Sequence, residues 1–210
     1  MILNYTGHLK RMAVDLLNLK MISFEKDIEH CLTVLRQGGT ILYPTDTVWG
    51  IGCDATDPEA VEKIYRLKER PAAKAMIVLA ADEKDILKYV ANPDPRVFEF
   101  LKKTEKPTTV IYEGAIGLAD NLIHEDGSIA IRIVHEKFCR SLLKRFRKPI
   151  VSTSANLSGE PSPAKFSEIF NHIRTGVDYV AHYRQEEEIP ASPSSLIKWN
   201  NEGEPVIIRP

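Results

Sequence analysis

Gly38-Gly39-Thr40-Ile41-Leu42-Tyr43-Pro44-Thr45-Asp46-Thr47-Val48-Trp49-Gly50-Ile51-Gly52 is the stretch whose reading decides the fold. Its glycine pair closes a preceding helix that Ser23 caps and whose apolar face is Ile28, Cys31, Leu32 and Leu35. Thr40 to Tyr43 then reads as a strand, and the chain leaves that strand through polar residues. Tyr43, Thr45 and Thr47 share one parity, while Gly50 and Gly52 let a ligand approach the backbone closely. Asp46 is placed to cap the turn or to hold a metal. A helix feeding a strand with hydroxyls at its exit is an α/β pattern with a ligand at the strand's carboxyl end. A β-turn closed by local side-chain bonds accounts for the same residues equally well.

Outward from that stretch, helical and extended signals alternate. Asp57 caps a helix with Pro58 at its first position, and Val61, Ile64, Tyr65 and Lys68 follow at helical spacing. Met76 to Ala80, Thr108 to Tyr112, Ser128 to Val134 and Pro149 to Ser152 read as strands. Glu83 to Val90, Pro95 to Lys102 and Glu136 to Phe146 read as helices. Ser162-Pro163 starts a further helix running to about Ile173. Val177 to Ala181, Ser195 to Trp199 and Glu204 to Arg209 read as the last strands. Some connections are too short for crossover helices, so the fold class is α/β (α+β-like), a twisted mixed parallel/antiparallel sheet with flanking helices.

Composition bounds the function. The 210 residues, 43% of them hydrophobic, supply one sizeable core, so residues 23–210 read as a single domain and residues 1–22 as an N-terminal extension. A net charge of -1 argues against a protein that coats nucleic acid over its whole surface. Cys31, Cys53 and Cys139 are odd in number and widely spaced, which suggests neither a disulfide framework nor a zinc site and fits a reducing cytoplasm. Lys10, Arg11, Asp15 and Lys20 interrupt the early apolar runs, so neither a signal peptide nor a membrane span is expected there.

Two further segments carry chemistry. In Lys68-Glu69-Arg70-Pro71 the two cations would diverge on a continuous helix, but Pro71 pushes Arg70 out of helical geometry. Arg70 and Lys74 then share a face of extended chain, with Lys68 arriving from the last helical turn, and three cations surround one point suited to a triphosphate. Taken alone, the triplet fits a solvated helix end better. In Ser152-Thr153-Ser154-Ala155-Asn156 the same parity rule puts Ser152, Ser154 and Asn156 on one polar face at a strand's carboxyl end. A turn that bonds its own backbone accounts for that run equally well.

Taken jointly, Gly38 to Ala55, Lys68-x-Arg70-Pro71 and Ser152-Thr153-Ser154-Ala155-Asn156-x-Ser158-Gly159 closely resemble the YrdC-like family, over about Phe24 to Arg209. Its members are threonylcarbamoyl-AMP synthases. The resemblance implies a YrdC-like fold with a concave pocket, and a nucleotidyltransferase that makes threonylcarbamoyl-AMP and pyrophosphate from L-threonine, bicarbonate and ATP. It implies Mg2+ bound with the ATP, no protein metal site, and tRNA-threonylcarbamoyl transferase proteins as partners that pass the group to adenosine in tRNA. Residue by residue, it implies catalytic roles for Lys68 and Arg70. Thr45, Thr47, Arg70, Lys74 and Ser195 resemble the threonine and bicarbonate site. Lys68, Thr109, Ser152, Ser154, Asn156 and Arg209 resemble the nucleotide site, with Ser194 an alternative to Ser195. Alanine at Lys68 or Arg70 is expected to abolish synthesis and spare the fold. Glu105-Lys106-Pro107-Thr108-Thr109 departs from the family's Pro-Gly-Pro-x-Thr turn, and the end at Pro210 resembles the short form.

A second reading keeps the fold but makes the chain an RNA-binding module in tRNA or rRNA maturation, without adenylate synthesis. Lys137, Arg140, Lys144, Arg147 and Lys148 would give one helix and its exit a basic face, although a solvated helix face is the more ordinary reading.

Overall fold

Strand residues of alternate parity enter two separate apolar clusters, and that alternation organises the molecule. The computed structural model describes residues 24–71, 76–200 and 202–210; the N-cap assigned to Ser23 and the site role assigned to Lys74 lie outside them. Helix α1 covers residues 24–36, and Gly38, with φ 69, ends its turn in the left-handed region. Strands β1 (Ile41–Tyr43) and β2 (Gly50–Gly52) form a hairpin, followed by α2 (Pro58–Leu67), β3 (Ile77–Ala80), α3 (Glu83–Tyr89) and α4 (Pro95–Lys103). Then come β4 (Thr108–Tyr112), β5 (Ile129–Ile133), α5 (Lys137–Phe146), β6 (Ile150–Ser154), α6 (Asn171–Gly176), β7 (Tyr179–Val180), β8 (Ser195–Trp199) and β9 (Pro205–Arg209).

Side-chain caps set the helix starts. The Asp57 carboxylate accepts from the Glu59 and Ala60 amides ahead of Pro58, and Asp94 accepts from the Arg96 amide ahead of Pro95. Glu136 accepts from the Cys139 amide at 2.8 Å and so caps α5.

Among the described residues nine strands form one sheet in the order β7-β1-β2-β6-β3-β5-β4-β8-β9. β1/β7, β3/β5 and β4/β8 are parallel, and the other neighbours are antiparallel, so the sheet is mixed as the short connections require. On one face Leu42, Val78, Val110, Ile131, Val151 and Ile197 pack with apolar residues of α2, α3, α4 and α6. On the other, Ile41, Tyr43, Leu79 and Ile150 pack with α1 and α5. Two helices cover only part of that second face, and the rest of it is the floor of an open hollow.

Two segments differ from expectation. The sequence reading assigned no strand to Gly50–Gly52, yet it is a fully buried strand paired on both sides, with β1 and β6. Glycine depresses strand propensity, but here it answers a packing need. A Cβ on Gly52 would stand 2.6 Å from the Val151 carbonyl and 2.7 Å from the Tyr43 ring. Gly52→Ala is therefore expected to cost about 2 kcal/mol, read as a fall in the urea midpoint at unchanged slope. The single helix expected from Ser162-Pro163 to about Ile173 is instead a 3-10 turn, Phe166–Glu168, and the short α6. Phe170, at ψ 141, breaks the helical path, and Glu168 accepts from the Ala164 amide at 2.8 Å, a local bond that competes with helix.

Candidate active site

The uncovered part of the second sheet face is the floor of a hollow of about 520 Å³. Gly50, Ile77, Ala130, Arg132, Ser152, Ser154, Ile111, Leu196 and Lys198 line it, together with Thr47, Arg70, Ser194 and Arg209. On the strands these are residues whose parity is opposite to the first apolar cluster, so one sheet face carries both a helix-covered core and an open polar floor. The size is that of a small-molecule site.

The turn after α2 decides where the Lys68-Arg70 pair goes. The helix ends in a Schellman motif: the Glu69 amide donates to the Arg66 carbonyl at 3.1 Å and the Arg70 amide to the Tyr65 carbonyl at 2.9 Å. Glu69 occupies the left-handed position, φ 49, where glycine is usual. The reversal separates the two cations. Arg70 lines the hollow, half-buried, whereas Lys68 is 1% exposed and does not line it. The Lys68 Nζ donates to the carbonyls of Ser154 and Asn156. The expectation that Lys68 lies outside the core fails for that reason: it is one of the largest fully buried side chains. Burial first, and the Arg70 charge second, lower its ammonium from the ordinary lysine value to about 7.

Other expected residues divide in the same way. Ser152 and Ser154 line the hollow, but Asn156 is turned inward, its Nδ2 donating to the carbonyls of Leu157 at 2.8 Å and Glu160 at 2.7 Å. Thr47 lines the hollow, and Thr45 stands behind it with Oγ1 3.0 Å from the Thr47 hydroxyl and 2.8 Å from the Val48 carbonyl. Ser194, rather than Ser195, reaches the wall, where its hydroxyl meets the buried Thr109 hydroxyl at 2.8 Å. Arg209 lines the same end and donates to the Ser194 carbonyl through Nη2 at 3.0 Å and Nε at 3.2 Å.

Arg132 was not singled out by sequence reasoning. It lines the hollow at 3% exposure, with Nη2 3.0 Å from Asp46 Oδ1, and its Nε is buried without a hydrogen-bond partner among the described residues. A guanidinium on a cavity wall suits an anionic ligand, and Asp46 already takes one nitrogen of this one. Its signal in the sequence was present: one arginine inside the otherwise apolar Ile129-Ala130-Ile131-Arg132-Ile133. His124 and Asp126, both exposed, also line the hollow, with His124 Nδ1 3.2 Å from Asp126 Oδ1.

Fold and site together define an α/β protein whose concave sheet face is a hollow lined by Arg70, Arg132 and Arg209. The chain belongs to the Sua5/YciO/YrdC family: the family model described as telomere recombination matches residues 33–210. A protein of Vibrio campbellii named threonylcarbamoyl-AMP synthase is 32% identical over 175 residues, 81% of this chain and 93% of that one. The protein of the same name from Stenotrophomonas maltophilia is 36% identical over 148 residues, 69% of this chain and 80% of that one. Among solved structures, P. abyssi Sua5 complexed with L-threonine superposes with a TM-score of 0.76 at 23% identity, over 87% of this chain and 53% of that longer one. E. coli YciO superposes with a TM-score of 0.75 at 25% identity, over 87% of both chains.

Proposed function

We propose that this chain is a threonylcarbamoyl-AMP synthase that makes threonylcarbamoyl-AMP, pyrophosphate and water from L-threonine, bicarbonate and ATP. The observation that carries the reading is that the partly buried Arg70 and the buried Arg132 line one hollow together with Thr47, Ser152 and Ser154. The named relatives at 32–36% identity support it, as does the threonine-bound structure of a protein with the same fold.

The chemistry asks the protein for position and charge rather than for a nucleophile. The threonine amine attacks the carbon of bicarbonate, losing water, and a carbamate oxygen then attacks the α-phosphate while pyrophosphate leaves. The guanidiniums of Arg70, Arg132 and Arg209 would neutralise carboxylate and phosphates, while the hydroxyls of Thr47, Ser152 and Ser154 would orient them. Among the described residues no group of three or more His, Cys, Asp or Glu side chains is arranged to hold a metal. Mg2+ is read as part of the nucleotide substrate, which is how this cation commonly enters phosphoryl sites.

The enzyme is then a nucleotidyltransferase of the cytoplasm, and tRNA-threonylcarbamoyl transferase proteins consume its product. Among the described residues no helix is long and apolar enough to cross a membrane. The RNA-binding alternative draws less support. Of its basic residues Lys148 is paired with Asp54 at 2.5 Å, and Arg140 lines a second, smaller cavity.

The test is pyrophosphate release from Mg-ATP and bicarbonate with L-threonine, without it, and with serine in its place. Threonine-dependent release is expected. No release, together with tight salt-sensitive tRNA binding, would favour the RNA-binding reading.

A further inference from the structure

The segment joining β7 to β8 passes from the first strand of the sheet to the eighth, and its start is fastened firmly. On α1 the Asp27 carboxylate, 1% exposed, accepts from the Tyr183 amide and the Tyr179 hydroxyl, each at 2.6 Å. His182 Nδ1 lies 3.1 Å from the same carboxylate. Arg184 follows with φ 68, a left-handed conformation that costs a side chain roughly 1 kcal/mol. The Asp27 anchor on one side, and the Glu187 amide bonded to the Arg184 carbonyl at 3.2 Å on the other, hold it there.

What the held conformation accomplishes is a contact 139 positions away in sequence. Arg184 Nη1 donates to the Thr45 carbonyl at 2.9 Å, while Nε meets Glu187 Oε2 at 2.7 Å and Glu136 Oε1 lies 3.9 Å from Nη1. Thr45 in turn fixes the wall: its Oγ1 accepts from the Thr47 amide at 3.0 Å and lies 3.0 Å from the Thr47 hydroxyl. Arg184 itself does not line the hollow; Thr47 does.

We propose that Arg184 is a positioning residue of the amino-acid subsite, setting the Thr47 hydroxyl by gripping the Thr45 carbonyl from behind. The proposal rests on reading the hollow as a threonine site. The guanidinium is suited to the task because its planar fork meets Glu187 and the carbonyl at once, which a lysine ammonium on a flexible stem does less well. Loosening the wall should act on the group it faces and spare the nucleotide end, where Ser194, Thr109 and Arg209 hold one another.

Arg184→Gly is the decisive variant, because glycine adopts the positive φ without strain and the fold is kept. Arg184→Lys is its conservative companion. With the wild-type protein measured alongside, L-threonine affinity is read from calorimetry, and KM for threonine and for ATP from pyrophosphate release. For Arg184→Gly we expect threonine Kd and KM to rise about tenfold, the KM for ATP to stay within about twofold, and discrimination against serine to narrow. Arg184→Lys should recover part of the loss. An unchanged threonine Kd, or equal rises in both KM values, with the wild type active, would overturn the positioning role alone. A wild type that neither binds nor uses threonine would overturn the function reading and this inference together.

Discussion

Arg70→Ala is expected to lower threonine-dependent pyrophosphate release about 10³-fold, equivalent to roughly 4 kcal/mol of transition-state stabilisation, while thermal unfolding stays cooperative. The asymmetry follows from where the side chain goes. The backbone of Arg70 belongs to the helix-ending turn, its N–H donating to the Tyr65 carbonyl, and alanine keeps that hydrogen bond. The side chain lines the hollow, where, in the proposed reaction, charge would develop as the carbamate attacks and pyrophosphate departs. Burial pulls the Arg70 guanidinium below the ordinary arginine value, yet arginine remains charged throughout the working pH range. Arg70→Lys is expected to recover only a minor part of the rate, because an ammonium cannot reproduce the forked contact. Activity of Arg70→Ala within tenfold of wild type would remove Arg70 from the catalytic machinery.

The sequence disclosed the strand faces better than the destinations of individual side chains. Parity placed Ser152 and Ser154 on one face because a strand's geometry is set locally, and both line the hollow. The same rule failed for Asn156, since β6 ends at Ser154 and the parity of extended chain stops there. Asp57-Pro58 was legible as a helix start because capping is a contact over two or three residues. Arg132 was missed because its meaning depends on Asp46, 86 positions earlier, and on a hollow that exists only once helices leave part of a sheet face bare. The strand Gly50–Gly52 was missed because glycine's weak propensity was overridden by the Tyr43 ring and Val151 backbone packed against it.

Lys68→Met is expected to cost about 3 kcal/mol or more of stability, because the thioether fills much of the volume but leaves two inward carbonyls without their donor. The Lys68 Nζ joins the end of α2 to the carbonyls of Ser154 and Asn156, and the Ser158 amide closes the circuit onto the Lys68 carbonyl at 2.9 Å. Loss of activity in this variant should accompany loss of structure, since Ser154, which lines the hollow, sits on the freed segment. The pH profile separates this account from a catalytic one. The folded lysine titrates at about 7 against an ordinary value near 10.5, so between those values the folded state holds fewer protons than the unfolded chain, and stability should rise with pH. Above about pH 9 the buried thiols of Cys31, Cys53 and Cys139, pushed up by burial, act in the opposite sense: the unfolded chain gives up protons that the folded one keeps. The informative window is therefore roughly pH 7 to 8.5, where urea midpoints should climb for the wild type and lose that slope in Lys68→Met. A midpoint in Lys68→Met equal to that of the wild type, with activity abolished, would instead make Lys68 a group that serves the substrate, reached through motion of the Ser152–Asn156 segment that now covers it.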